Sequence, residues 1–119
     1  MLFRSWATTD EKWFPEWEFL GRPWEPQARE VYRRNDPFAS VASVVTPTLV
    51  SHGGRDYRCL AAGGEMWFAA LQALGVPSRL LRFEDEAHGL RDRDNQVFYL
   101  EQLLAWFDRH VLPPGSEDE

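Results

Sequence analysis

Two short runs of consecutive apolar residues and two longer stretches of helical period divide the second half of the chain. Thr46-Pro47 precedes Thr48-Leu49-Val50-Ser51, a β-branched apolar run that stops at His52-Gly53-Gly54. That pattern predicts a buried strand followed by a tight loop. From Leu60 to Leu74 the period changes to helical, with Trp67, Ala70, Leu71 and Leu74 on one face. Gly63 and Gly64 cost about 1 kcal/mol each in a helix interior, so they mark the first turn. Gly75 closes the helix and Pro77 enforces the stop. Arg79–Phe83 is the second strand, carried by Leu80, Leu81 and Phe83, and the polar loop Glu84–Asp94 follows. The last helix is predicted over Asn95–His110, with Asp94 as N-cap and Arg109 and His110 at its negative end. Its apolar stripe is Val97, Leu100, Leu104, Phe107 and Val111, at spacings of 3, 4, 3 and 4.

The first half is less regular. Trp6, Trp13, Trp17 and Trp24 crowd into a stretch broken by Pro15, Gly21, Pro23 and Pro26, which predicts loops with short helical pieces. The tryptophans suit either core packing or the wall of an apolar pocket. Gln27–Arg34 is compatible with a helix, and Asp36-Pro37 signals a turn. Residues 113–119 read as a loose acidic tail, and no internal repeat is present.

The order strand, helix, strand, helix after a helical and loop preamble defines an α/β chain. It is a βαβα unit with two parallel strands and a right-handed crossover. Two parallel strands alone are a poor sheet, because parallel sheets have both faces covered and further strands beside them.

Composition narrows the class. The 119 residues carry a net charge of −6 and are 44% hydrophobic and 14% aromatic. That length suits one small domain, and the aromatic content argues against disorder. The acidic balance argues against nucleic acid as a partner, which needs clustered Lys and Arg. No apolar run approaches the roughly 20 residues that span a bilayer. Cys59 is the single cysteine, so neither an internal disulfide nor a cysteine-based zinc site is available. With no secretory layout at the N-terminus, the expected location is cytoplasmic. Asp92, Asp94 and Gln96 mimic a calcium loop only faintly, since Val97 and Leu103 stand where glycine and glutamate are required. No metal or cofactor is expected.

The chemistry gathers in the loops after the two strands. Asp56 lies in the first and His88 in the second, 32 residues apart. Parallel strands bring both loops to the carboxyl edge of the sheet, where α/β proteins place their sites. An aspartate that accepts from histidine Nδ1 fixes the tautomer that leaves Nε2 free to take a proton from a nucleophile. On the residues alone, a loop histidine flanked by acids is more often a solvated or structural residue, and an aspartate after His-Gly-Gly is often just a turn former. His52 is read as a residue that shapes the loop, and Cys59 as a small packed side chain instead of a nucleophile.

Three segments carry a resemblance. They are Thr46–Arg58, Leu71–Pro77 and Phe83–Gly89, with Trp17-Glu18-Phe19, Gly21–Glu25 and Asn35-Asp36-Pro37 in support. Together they resemble the C-terminal end of the prolyl oligopeptidase family of serine peptidases, especially its acylaminoacyl-peptidase and dipeptidyl-peptidase branch. The resemblance implies the C-terminal half of an α/β-hydrolase fold over residues 1–112, with triad order serine, aspartate, histidine. It implies Asp56 as the orienting acid, His88 as the general base, and Arg58 as a residue that grips a substrate backbone carbonyl. A salt bridge to a nearby acid is the alternative for Arg58. Cys59-Leu60 departs from the valine and proline that usually follow this arginine.

The nucleophile of the family sits in a Gly-x-Ser-x-Gly elbow, and this chain has no such pattern around Ser5, Ser40, Ser43, Ser51, Ser78 or Ser116. The chain is therefore expected to be a catalytic-domain fragment, inactive alone, that works on peptides when a serine-bearing N-terminal half completes it. Self-association through its uncovered faces is a further expectation. The rival readings are a non-catalytic interaction module and a carboxylesterase-like fragment of the same fold.

Overall fold

The computed structural model describes residues 6–111. The acidic tail expected over 113–119 lies outside the described residues.

The preamble holds helix α1 (Trp13–Glu18), helix α2 (Pro26–Arg34) and a short 3₁₀ helix (Pro37–Ser43). Pro26 opens α2 at its first turn, where a missing N–H costs nothing. Asp36 caps the 3₁₀ helix by accepting from the Phe38 amide at 3.1 Å. Tyr32 ties this region together. It is buried, and its hydroxyl lies 3.3 Å from both the Pro15 and the Gly21 carbonyl oxygens. Trp13 and Trp17 are 67% and 76% exposed, so neither joins a core. Trp6 packs edge-on against Trp24 with ring centroids 4.7 Å apart.

Strand β1 (Thr48–Gly53), helix α3 (Ala62–Ala73), strand β2 (Ser78–Phe83) and helix α4 (Arg93–His110) complete the chain. β1 and β2 pair in parallel, from Thr48 opposite Ser78 to Gly53 opposite Phe83. The core around them is Ala61, Leu71, Val76, Leu81 and Phe83. Leu71 is fully buried, whereas Leu74 on the expected α3 face is 47% exposed. Gly75 ends α3 with φ +71°, a left-handed turn that glycine adopts without strain.

Helix α4 departs from expectation in two respects. Its N-cap is Asp92, not Asp94. The Asp92 carboxylate accepts from the Asp94 and Asn95 amides, both at 3.0 Å, and the helix starts at Arg93. The stripe from Val97 to Val111 is exposed, with Leu100 at 55% and Leu104 at 63%. The half-buried row is Asn95, Tyr99, Leu103 and Trp106. Tyr99 meets the edge of the Phe83 ring at 6.4 Å. The helix carries apolar residues on both rows, so a spacing of 3 and 4 finds a face without saying which face the sheet receives. No helix among the described residues is long and apolar enough to cross a membrane.

Candidate active site

Both strands end at the same edge, and the chain leaves each in a loop held by the other. The Phe83 carbonyl accepts from the Gly54 amide at 2.7 Å and from the Glu86 amide at 3.1 Å. The Arg55 amide donates to the Glu86 carbonyl at 2.8 Å. These bonds bring the acid loop and the histidine loop into register.

Asp56 lies at the centre. The residue is 5% exposed, and both of its oxygens are occupied. Oδ1 accepts from the Arg58 amide at 3.0 Å and the Cys59 amide at 2.8 Å. Oδ2 lies 3.0 Å from His88 Nδ1. Burial pushes the Asp56 carboxyl upward, but hydrogen bonds from Cys59, His88 and Arg58 outweigh it and hold the pKa below the usual aspartate value. An ionised carboxylate only accepts, so His88 Nδ1 carries the proton. Nε2 of the neutral ring then presents a lone pair. The His88 side chain is 54% exposed.

His52, at the end of β1, also faces this loop. Its Nε2 makes a short contact with the Cys59 carbonyl oxygen, which fixes Nε2 as the donor, and lies 3.5 Å from Asp56 Oδ2. A Cβ on Gly64 would crowd the His52 ring at 3.0 Å, which accounts for a glycine in the first turn of α3.

Arg58 donates to Glu11 at 2.6 Å. The Tyr57 carbonyl also accepts from the Asp10 amide at 3.0 Å, so the preamble is pinned to the acid loop. Trp6, Phe14, Phe19, Arg58, Cys59 and His88 line one open cleft of about 510 Å³, largely apolar. Cys59 stands in its wall. Surrounding protein and the Asp56 carboxylate push its thiol up, which keeps it a poor nucleophile. No group of His, Cys, Asp and Glu among the described residues is arranged to hold a metal ion.

The structure thus brings Asp56 and His88 together and places Arg58 on the same cleft, in the ion pair considered as its alternative. It also shows Glu86, which the sequence left as one acid among several in a polar loop. Glu86 is 5% exposed. Its two oxygens accept from the Arg91 amide, the Asp92 amide and Asn95 Nδ2, each at 2.9 Å. Those bonds, Asn95 foremost, hold its carboxyl below the usual glutamate value. Its distinguishing mark is burial, which no local pattern reports.

An aspartate–histidine couple at the carboxyl edge of parallel strands belongs to the α/β hydrolases. Residues 1–113 match the prolyl oligopeptidase family. The chain belongs to that family of serine peptidases. It is 40% identical over 117 residues to a probable dipeptidyl-peptidase 5 of Aspergillus niger, covering 97% of this chain and 16% of that protein. It is 39% identical over 110 residues to dipeptidyl-peptidase 5 of Porphyromonas endodontalis, covering 91% and 16%. Its fold is that of part of the uncomplexed Pyrococcus horikoshii acylaminoacyl peptidase. The TM-score is 0.80 at 24% identity, over 98% of this chain and 20% of that one. The chain therefore spans about a sixth of the length of these curated relatives.

Proposed function

We propose that this chain supplies the acid and the base of a Ser–Asp–His peptidase site whose serine lies outside these 119 residues. The observation that carries the reading is the buried, fully bonded Asp56 holding His88 Nδ1 at 3.0 Å. The absence of a Gly-x-Ser-x-Gly elbow and the short span against the relatives support the rest.

In the completed site, His88 Nε2 takes the serine proton as Oγ bonds to the substrate carbonyl carbon. The imidazolium, stabilised by Asp56, passes that proton to the departing amine as the C–N bond breaks. Water then gives a proton to His88 as its oxygen bonds to the acyl carbon, and His88 passes that proton to the serine Oγ as the acyl ester C–O bond breaks. Arg58 exchanges Glu11 for a substrate carbonyl oxygen, and the apolar cleft beside His88 takes a side chain. The substrates are peptides cut near the N-terminus, in line with the relatives' names. Nucleic acid is not a partner in this reading, in keeping with a net charge of −6.

The test joins the chain to the serine-bearing segment of a family member, by co-expression and by covalent fusion. A fluorophosphonate that labels activated serines should mark the joined protein, and His88→Ala should abolish the labelling. The same joined protein should cleave a dipeptidyl or acylaminoacyl amide faster than a simple ester. Labelling of the 119-residue chain by itself would overturn the proposal.

A further inference from the structure

A buried carboxylate, Glu86, stands two residues before the candidate base. We infer that Glu86 is the positioning residue that holds the His88 loop in the geometry that presents Nδ1 to Asp56. The inference rests on the peptidase reading only for its catalytic consequence, because the geometry belongs to the chain itself.

His88 has little else to hold it. Its side chain is half exposed, and its one hydrogen bond among the described residues runs to Asp56. Its orientation therefore depends on where the backbone sets it. That backbone is a ring closed by Glu86. The main chain of Glu86 is fixed on one side, since its amide donates to Phe83 and its carbonyl accepts from Arg55. Its side chain then reaches over the loop to the amides of Arg91 and Asp92, at 2.9 Å each. Ala87 to Leu90, with His88 among them, are spanned by this one residue. The third bond, from Asn95 Nδ2, anchors the ring to the first turn of α4. A carboxylate suits this place because all its partners are donors and the N-terminal end of a helix favours negative charge. Glu84 and Asp85, its neighbours, are exposed and do none of this.

Glu86→Gln keeps the shape but turns one acceptor into an N–H₂ donor facing donors. The loop should open on that side. A group that only adds stability would lower the melting temperature and leave His88 as it is. A positioning residue changes the imidazole.

The measurement is ¹⁵N and ¹H NMR of the His88 ring in the full 119-residue chain, with His52 and His110 as internal references. In wild type the Nδ1 proton, bonded to a carboxylate, should resonate far downfield and exchange slowly. In Glu86→Gln that proton should be lost to exchange, by tenfold or more in rate, and the Nδ1–H tautomer should lose its dominance. Asn95→Ala removes one donor of three from a half-buried helix position and should accelerate the exchange by a smaller factor. If Glu86→Gln does not fold, Asn95→Ala decides. A folded variant whose His88 signature superimposes on wild type overturns the inference. Because no turnover is read, failure of the peptidase proposal would leave this result standing. Success there with an unchanged His88 signal would sink this inference alone.

Discussion

Gly53 and Ala87 face each other so closely that no side chain fits between them. A Cβ on Gly53 would collide with the carbonyl oxygens of Ala87 and Glu86, both in the histidine loop. The last residue of β1 is thus pressed directly against the segment that carries His88. Gly53→Ala should force the loops apart at a cost of about 1–3 kcal/mol, the usual range for overpacking a filled space. Its distinctive effect should be on the site. Thermal melting should fall moderately, while the slowly exchanging His88 Nδ1 proton should disappear. A variant with a normal His88 signal would show that the close approach is incidental.

The second prediction concerns acid. Asp56 has a folded pKa held below its unfolded value near 3.8. The unfolded chain then binds more protons than the native one in that range, so stability rises with pH. The contribution is complete above about pH 5 and drains away as pH falls through 4 toward the folded value. Glu86 acts in the same direction. Urea melts of wild type from pH 3 to 7 should therefore steepen in their loss of stability below pH 4.5, and Asp56→Asn should flatten that slope. In a serine-completed enzyme the same substitution should lower kcat by roughly 10⁴-fold, because the wrong tautomer of His88 is then favoured.

How much of this was legible beforehand follows from the residues concerned. The strands announce themselves through Leu49-Val50 and Leu80-Leu81-Phe83, each bounded by turn formers. Their parallel order suffices to bring Asp56 and His88 to one edge, since topology alone sets that placement. The sequence is silent where the decisive contact is distant or the local pattern ambiguous. Glu11 stands 47 residues from Arg58 and in an irregular segment. Glu86 stands among Glu84 and Asp85, and only burial separates it from them. The α4 cap moved by two residues because Asp92 and Asp94 are both acceptable N-caps.

The Arg58–Glu11 pair offers a third prediction. Their side chains are 47% and 36% exposed, so water screens the attraction. Removing it by Glu11→Ala should cost less than about 1 kcal/mol in stability. Arg58→Ala should be equally mild toward folding. In the completed enzyme, however, Arg58→Ala should raise KM for peptide substrates about tenfold. Glu11→Ala should leave KM unchanged or lower it, because the guanidinium no longer has to leave a partner. Matching losses of activity in both variants would mean that the pair acts as a fixed structural bridge and does not hand Arg58 to the substrate.

The last prediction separates the two faces of the helices. Leu71 on α3 has no exposed surface, whereas Leu104 on α4 is 63% exposed. Both are leucines at helical spacing in apolar rows, so sequence assigns them the same role. Leu71→Ala removes buried methylenes from a site with little room to collapse and should cost about 2–5 kcal/mol. Leu104→Gln replaces surface already in water and should stay within about 0.5 kcal/mol of wild type. The row from Val97 to Val111 is apolar and exposed, the kind of patch through which self-association is expected. Leu104→Gln should then shift sedimentation toward monomer at a fixed concentration, with the melting temperature unmoved. A large loss of stability in Leu104→Gln would show that this face, not the Tyr99–Trp106 row, is the one that packs.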